Sequence, residues 1–198
     1  MEDGKYMQLK HVFHQVQTNE INSYRNNPEA LLRWIRKSLP VNKIVMGTGF
    51  GPPGIVLLDM LLRVTRDISV FYIDTGFLFD QTYELRDKLQ KKYGFEFLRF
   101  STEVTPEKQT EMYGEKLWEK DPDICCSIRK VIPLKNALQN YDFWITGIRK
   151  KQTKIRNKSD LIEFCITLFE NKKSLILSDE FKKLLKLGKD NWKETLKL

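Results

Sequence analysis

The sequence predicts an α/β domain, in which a parallel sheet is covered by helices on both faces. Strand-length apolar runs alternate with helical segments along the chain, and each run ends in a polar or glycine-containing loop. This alternation is typical of consecutive βαβ units. The predicted strands are residues 43–46, 68–73, 95–100 and 143–146, and the predicted helices are 28–37, 55–64, 81–93 and 128–140.

The first helix and strand are predicted from spacing and from helix-breaking residues. Pro28 stands in the first turn of a segment that carries Leu31, Leu32 and Ile35 at helical spacing. A short apolar run then leads into the glycine- and proline-rich loop 47–54, and an apolar helix follows directly. This order of strand, loop and helix is the first half of a βαβ unit.

The second half of this βαβ unit repeats the order of strand, loop and helix. Ile68–Ile73 is rich in β-branched and aromatic residues, as strands are, and it ends at a polar turn. Gly94 is expected to end the next helix, and residues 95–100 alternate in the manner of a strand. Pro133 predicts a kink or a late start in the helix over 128–140.

Composition limits the classes of protein to which the chain can belong. Its 198 residues, 41% of them hydrophobic and 30% charged, suit one soluble globular domain. No apolar run approaches the roughly 20 residues of a membrane helix, and the N-terminal residues lack the plan of a signal peptide. Three cysteines favour a reducing cytoplasm over a secreted disulfide scaffold. The net charge of +8 does not by itself identify a partner.

Three motifs fall where ligands bind in open α/β sheets, beyond the carboxyl ends of the strands. The first is the loop 47–54, whose glycines and following helix N-terminus suit a phosphate, although a tight strand-to-helix turn would look the same. The second is Asp74-Thr75-Gly76, where the aspartate either meets a ribose or orders the turn. The third is the segment 146–149. Two alternatives are open for the aromatic side chains that follow this turn: they stack on the base of a nucleotide, or they belong to the hydrophobic core. These residues are Phe77, Phe79 and Tyr83.

A basic group and a cysteine pair complete the candidate site. Cys125 and Cys126 are adjacent, and soft thiolates of this kind bind iron or iron–sulfur clusters, although two chance thiols would look the same. The nearby cations could hold a phosphate or sulfate group, the alternative being a solvated surface. These cations are Arg129, Lys130, Arg149, Lys150, Lys151, Lys154 and Arg156.

Taken together, the motifs resemble the adenylyl-sulfate and phosphoadenylyl-sulfate reductase family of sulfate assimilation. They occur in the family's order over roughly residues 40 to 160. The matching segments are 48–51 with 57–61, 74–79 with 81–83, 113–114 with 117–119, 125–130 with 133–134 and 137–138, and 144–149 with Gln152 and Arg156.

The resemblance implies an adenine-nucleotide α-hydrolase-like fold with a modified phosphate (PP) loop. It places the nucleotide at Thr48, Gly49, Phe50 and Gly51 and at Asp74, Thr75 and Gly76. It places the phosphate–sulfate end of the substrate at Arg129, Lys130, Arg149, Gln152 and Arg156. The cysteine pair resembles the iron–sulfur branch, which generally uses adenylyl sulfate rather than its 3′-phosphorylated form. The implied electron donor is thioredoxin or glutathione.

The chain also departs from the family. The family's nucleophilic cysteine in a short tail and the second cysteine pair of the cluster site are not found, so a [4Fe–4S] cluster would be incompletely ligated. The resemblance ends near Phe164. We therefore predict an N-terminal helical segment (1–40), a reductase-like core (41–164) and a divergent, lysine-rich helical tail (165–198). Cys165, among apolar neighbours, is expected to be a buried strand thiol.

Four functions remain open from the sequence. The leading one is a reductase that converts adenylyl sulfate or 3′-phosphoadenylyl sulfate to sulfite. The second is a truncated or frame-shifted remnant that binds the nucleotide without turnover. The third is adenylation of another substrate, which the absence of Ser-Gly-Gly-x-Asp-Ser at 47–54 disfavours. A basic nucleic-acid-binding module is the least favoured. A homo-oligomer is left open.

Overall fold

The computed structural model describes Tyr24, residues 27–147, and the backbone of residues 162–165 and 172–176. Among these residues, no helix is both long and apolar enough to cross a membrane. The helices are α1 (Pro28–Ser38), α2 (Pro52–Val64), α3 (Asp80–Tyr93), α4 (Pro106–Tyr113), α5 (Leu117–Lys120), α6 (Pro122–Cys126) and α7 (Ile132–Leu138). The strands are β1 (Ile44–Gly47), β2 (Ser69–Asp74), β3 (Leu98–Ser101), β4 (Phe143–Thr146), β5 (Ile162–Cys165) and β6 (Lys172–Ile176).

The strands form one sheet in the order β3-β2-β1-β4-β6-β5. Pairing is parallel from β3 to β6, which confirms the predicted parallel sheet, whereas β5 pairs antiparallel with β6. Only residues 166–171 separate β5 from β6. A connection this short suits antiparallel neighbours, because a parallel crossover needs a dozen residues or more.

Helices cover both faces of the sheet, as predicted. Side chains alternate between the faces along each strand, so Met46 and Tyr72 belong to one cluster while Val45 and Phe71 belong to the other. The larger cluster includes the apolar sides of α1 and α2, and the smaller one includes Ala137 from α7.

The helix after β1 begins three residues earlier than predicted. Pro52 is its first residue and Gly51 is its N-cap. Proline suits this position because the first helical N–H needs no partner within the helix. The loop between β1 and α2 is therefore only four residues long, from Thr48 to Gly51, so the N-terminus of α2 lies close to the carboxyl end of β1.

The third strand is shorter than predicted, beginning at Leu98 rather than Phe95. The Phe97 N–H donates to the Gln90 side chain (Phe97 N to Oε1, 3.1 Å), not to a neighbouring strand. The Phe97 ring is buried in the larger cluster, against which Phe95 also packs. The alternating pattern at the start of residues 95–100 therefore arises from aromatic rings that pack in the core before the strand begins, not from strand pairing.

The predicted helix over 128–140 is part of a longer one that runs continuously from Pro122 to Leu138. Its middle, Ser127–Val131, is a π turn, in which the Ile132 N–H donates to the Ser127 carbonyl five residues earlier. Pro133 follows this turn, and a proline within a helix removes one N–H and crowds the preceding turn. Arg129 and Lys130 thus lie in the middle of a helix, not at its start.

The C-terminal prediction is partly wrong. Lys172–Ile176 forms a strand beside β4, where a helical tail was predicted. The helical forecast overlooked that Ser174-Leu175-Ile176 can pair with an exposed strand edge. Cys165 ends β5, as expected of a strand residue, but its side chain lies outside the described residues. The rest of the predicted tail also lies outside them.

Gly47 is predicted to be essential for packing at the end of β1. A Cβ at this position would lie 2.6 Å from Trp144 Nε1 and 3.0 Å from Phe71 Cζ. Gly47→Ala should therefore reduce the free energy of unfolding by about 2 kcal/mol, measured by urea denaturation, because both rings must shift. Gly49→Ala is the control, since its Cβ meets nothing within 4 Å; an equal loss in both variants would contradict the prediction.

Candidate nucleotide and anion site

The strand order places a crevice at the carboxyl ends of β1 and β4. From β1 the chain proceeds to β2 and then β3 on one side of the sheet, and β4 lies on the other side of β1. Ligands bind at such a reversal in open α/β sheets. Thr48 follows β1 on one side of the crevice, and Gly147 follows β4 on the other. A Cβ atom built on Gly147 would lie 3.5 Å from the backbone nitrogen of Gly54, so the two segments are close together.

The loop after β1 is held at Thr48. Its N–H donates to the Phe71 carbonyl (2.9 Å), and its buried Oγ1 accepts the Phe50 N–H (3.1 Å). The N–H groups of Gly49 and Gly51 have no hydrogen-bond partner among the described residues. The structure therefore brings two available amides next to the N-terminus of α2, an arrangement that suits an anion.

Asp74 is buried at the end of β2, where it orders the turn that follows. Its Oδ1 accepts the Gly76 N–H (2.9 Å) and the Tyr83 hydroxyl (2.7 Å), and its Oδ2 accepts from Arg99 Nε (2.7 Å). Burial alone would raise the pKa of Asp74, but these hydrogen bonds outweigh it and the pKa is lowered. Asp74 therefore orders the turn, which is one of its two predicted roles, and its contact with a ribose stays a prediction.

Tyr83 is fixed by the same carboxylate. Burial and the hydrogen bond to Asp74 raise the pKa of the Tyr83 hydroxyl to about 12, so it remains a proton donor at neutral pH. Phe77 is half-exposed and lies against Trp118 (ring centroids 5.3 Å apart), while Phe79 is largely exposed. The core alternative for Phe79 is therefore wrong.

The turn after β2 meets Arg129. Gly76 has a φ of +72°, and the Thr75 hydroxyl accepts the Phe77 N–H (3.2 Å), so the turn is tightly closed. The Thr75 carbonyl accepts from Arg129 Nη1 (3.4 Å). A Cβ on Gly76 would lie 3.4 Å from that same nitrogen. The Asp74–Gly76 motif and the predicted cation Arg129 therefore belong to one site.

Arg129 is a buried cation with one unsatisfied nitrogen. Nε donates to Gln109 Oε1 (2.7 Å) and Nη1 to the Val104 carbonyl (2.8 Å), while Nη2 is buried and has no partner within the described part of the chain. The side chain is only 3% exposed. Burial lowers the pKa of Arg129, but an arginine stays charged at any physiological pH. A buried charged donor without a partner is costly, so an anion would stabilise it.

The other predicted cations are less constrained by the structure. Lys130 is exposed, one residue beyond Arg129. Arg149, Gln152 and Arg156 lie outside the described residues, as do Lys150, Lys151 and Lys154. Their roles stay predictions.

Two partners of the site were not anticipated. Gln109 fixes the Arg129 guanidinium, and Arg99 fixes Asp74. Nothing in the sequence around Gln109 distinguishes it from any other polar residue of a short helix. Arg99 could have been found from its position on a predicted strand beside Asp74, because neighbouring parallel strands end at one edge.

The described cysteines do not fit a [4Fe–4S] cluster. The Cys125 thiol is buried beside Leu117 and Ile128, whereas Cys126 is exposed, so the two neighbours differ in surroundings. No group of three or more His, Cys, Asp or Glu side chains able to hold a metal occurs among the described residues. A cluster of this type takes four thiolates, and the whole chain has three cysteines.

We expect the chain to bind no stoichiometric [4Fe–4S] cluster. After anaerobic reconstitution with iron and sulfide, bound iron should stay well below four atoms per chain, because Cys125 is buried while Cys126 is exposed and the chain lacks a set of four thiolates. Iron analysis and visible absorption measure this, and a Cys126→Ser variant serves as the control for adventitious iron. Four iron atoms per chain, lost in that variant, would contradict the expectation.

The described residues have an α/β fold of the adenine-nucleotide α-hydrolase type, with a parallel sheet covered by helices on both faces. The chain also matches the family model of the phosphoadenosine phosphosulfate reductase domain over residues 43–169. It therefore belongs to that family, and the resemblance seen in the sequence is confirmed.

Named relatives agree with this assignment. The chain is 36% identical over 151 residues to adenosine 5′-phosphosulfate reductase from Halalkalibacterium halodurans, covering 75% of this chain and 65% of that protein. It is 38% identical over 139 residues to the Salinibacter ruber protein of the same name, covering 70% of this chain and 55% of that protein. The chain thus spans less than two thirds of the length of either relative.

Solved structures share the fold. Phosphoadenylyl-sulfate reductase from Candida auris, solved as a phosphate complex, superposes with a TM-score of 0.70 at 24% identity, covering 88% of this chain and 87% of that one. The U34-tRNA thiolase NcsA from Methanococcus maripaludis, solved with its [4Fe–4S] cluster, gives 0.51 at 16% identity, covering 86% and 64%. At these identities the likeness concerns the fold alone.

Proposed function

We propose that this chain binds adenylyl sulfate or 3′-phosphoadenylyl sulfate along the carboxyl ends of the parallel strands, from the β1–β4 crevice to the turn after β2 that contacts Arg129, and acts as a sulfonucleotide reductase of sulfate assimilation. The products would be sulfite and AMP, or sulfite and adenosine 3′,5′-bisphosphate. The observation that carries the proposal is Arg129, a buried cation whose Nη2 lacks a partner among the described residues. The relatives named adenosine 5′-phosphosulfate reductase support the same substrate class.

Each part of this proposed site suits one part of the substrate. The Gly49 and Gly51 amides and the N-terminus of α2 would hold the nucleotide phosphate, since backbone N–H groups and a helix N-terminus favour anions. Arg129 and Lys130 would face the phosphate–sulfate end. By resemblance, Arg149, Gln152 and Arg156 would complete that end of the pocket.

The reduction needs a thiolate and a second thiol. A cysteine thiolate attacks the sulfate sulfur, the bond between sulfur and the phosphate oxygen breaks, and the nucleotide leaves with the electron pair of that bond. A thiol of thioredoxin or glutathione then attacks the resulting cysteine S-sulfonate, which releases sulfite and forms a disulfide. Two thiols supply the two electrons.

The attacking thiol has no assigned residue in this chain. Of the two cysteines whose side chains the structure describes, Cys125 is buried and Cys126 is exposed within one helix. A second candidate function is that the chain binds the sulfonucleotide without turning it over. In both cases a reducing cytoplasm is the proposed location.

The test measures binding and turnover separately. Calorimetry would give the affinity for adenylyl sulfate and for its 3′-phosphorylated form, and labelled substrate would report sulfite release with thioredoxin or glutathione. Sulfite release supports the reductase, and tight binding without sulfite supports the second candidate. Absence of binding by either nucleotide rejects both.

A further inference from the structure

Phe50 has a backbone conformation that is rare for a bulky residue. Its φ of +58° lies in the left-handed region, where a side chain crowds the backbone and glycine is normally found. Nevertheless the ring is only 6% exposed. Strained residues of this kind persist only where the surrounding structure enforces them, and they cluster at functional sites.

An aromatic cluster holds the Phe50 ring. The ring lies 5.3 Å from that of Tyr72 on β2 and 5.0 Å from that of Phe97, where the contact is edge-to-face. Phe97 is fixed in turn by its hydrogen bond to Gln90 and by the Phe95 ring, 4.6 Å away. The ring is thus anchored on the sheet and on the segment that precedes β3.

The strained backbone lies between the two available amides of the loop. The Phe50 N–H donates to Thr48 Oγ1, which removes it from ligand binding and closes a short turn. Gly49 and Gly51, on either side, are the residues whose N–H groups have no partner among the described residues. The conformation of residue 50 therefore helps to set the orientation of the Gly51 amide relative to the Gly49 amide.

We infer that Phe50 is a positioning residue, whose buried ring holds the loop in the left-handed conformation that aims the Gly49 and Gly51 amides at the substrate anion. The inference rests on the proposed function. Residue 50 must both adopt a positive φ and anchor the loop in the core, and neither requirement alone selects phenylalanine. A turn with positive φ is made most easily by glycine, and an apolar anchor needs no positive φ. Together they give a preorganised anion-binding loop, which loses less entropy on binding.

Three variants separate positioning from simple core packing. Phe50→Gly allows the backbone conformation but removes the anchor, and Phe50→Leu keeps an apolar anchor. Leu32→Ala, a fully buried residue of α1, is the control for a general loss of stability. The readouts are the affinity for adenylyl sulfate and the NMR order parameters of the Gly49 and Gly51 amides in the free protein.

Phe50→Gly should weaken nucleotide binding about tenfold or more and lower both order parameters from about 0.85 to below about 0.6. Phe50→Leu should bind within about threefold of wild type, and Leu32→Ala should change neither readout while the protein is folded. Unchanged order parameters in Phe50→Gly overturn the inference, whether or not the nucleotide binds. Failure of wild type to bind any sulfonucleotide, with the loop loosened in Phe50→Gly, rejects the proposed function and supports only the ordering of the loop by the Phe50 ring.

Discussion

Replacing Arg129 by glutamine is expected to weaken binding of adenylyl sulfate about 100-fold. A charged hydrogen bond to an anion contributes about 1.5–3 kcal/mol, and Arg129 is the buried cation with an unpartnered nitrogen in the described part of the site. Arg129→Lys should be intermediate, since lysine keeps the charge but loses the planar fork that bonds Gln109 and Val104. Calorimetry measures both affinities.

Lys135→Gln is the matched control for the loss of one positive charge. Lys135 is exposed on α7, near Arg129 along the same continuous helix. We expect this variant to bind within about twofold of wild type, because an exposed charge is screened by salt. If Arg129→Gln, shown to be folded by near-UV circular dichroism, binds as tightly as Lys135→Gln, then Arg129 does not contact the anion.

Asp74→Asn is expected to lower the free energy of unfolding by about 2–3 kcal/mol at pH 7. The buried carboxylate accepts from Gly76, Tyr83 and Arg99, and an amide leaves at least one of these donors unsatisfied. Because the pKa of Asp74 is lowered in the folded protein, its stabilising contribution is present above the unfolded pKa of about 3.9. It is lost as the pH falls through the folded pKa.

The pH dependence gives this prediction its test. The difference in urea-unfolding free energy between wild type and Asp74→Asn should be constant from pH 5 to 8 and shrink below about pH 4. Asp67→Asn, which removes an exposed ion pair with Arg36, should cost less than about 1 kcal/mol. A difference for Asp74→Asn that persists unchanged at pH 2–3 would show that its carboxylate charge is not the cause.

The sequence predicted the strand-and-helix order because local patterns determine it. Gly94 ends α3 in a left-handed cap, and Pro28 opens α1, both as forecast. The errors occur where contacts with residues elsewhere in the chain determine the local structure. The Phe95–Phe97 segment alternates like a strand, but the Gln90 side chain takes the Phe97 N–H. Likewise, residues 172–176 become a strand because β4 offers them a free edge.

The candidate site was predicted in part. Asp74 and Arg129 were selected by their positions along the chain, and the structure brings them to one turn through Thr75. The partner Gln109 depends on side-chain geometry that periodicity does not encode, whereas Arg99 lies on the predicted strand beside Asp74 and could have been found. The strain at Phe50 was equally invisible, since a phenylalanine between two glycines carries no sign of a positive φ.

The position of β6 between β4 and β5 has a consequence for synthesis on the ribosome. The strands β1 to β4 are complete once Thr146 has emerged, whereas the strand that pairs with the outer edge of β4 begins 26 residues later, at Lys172. Until then the nascent chain presents an unpaired parallel edge, a surface prone to pairing with other chains. We therefore expect protection by ribosome-associated chaperones to matter most over this interval of translation.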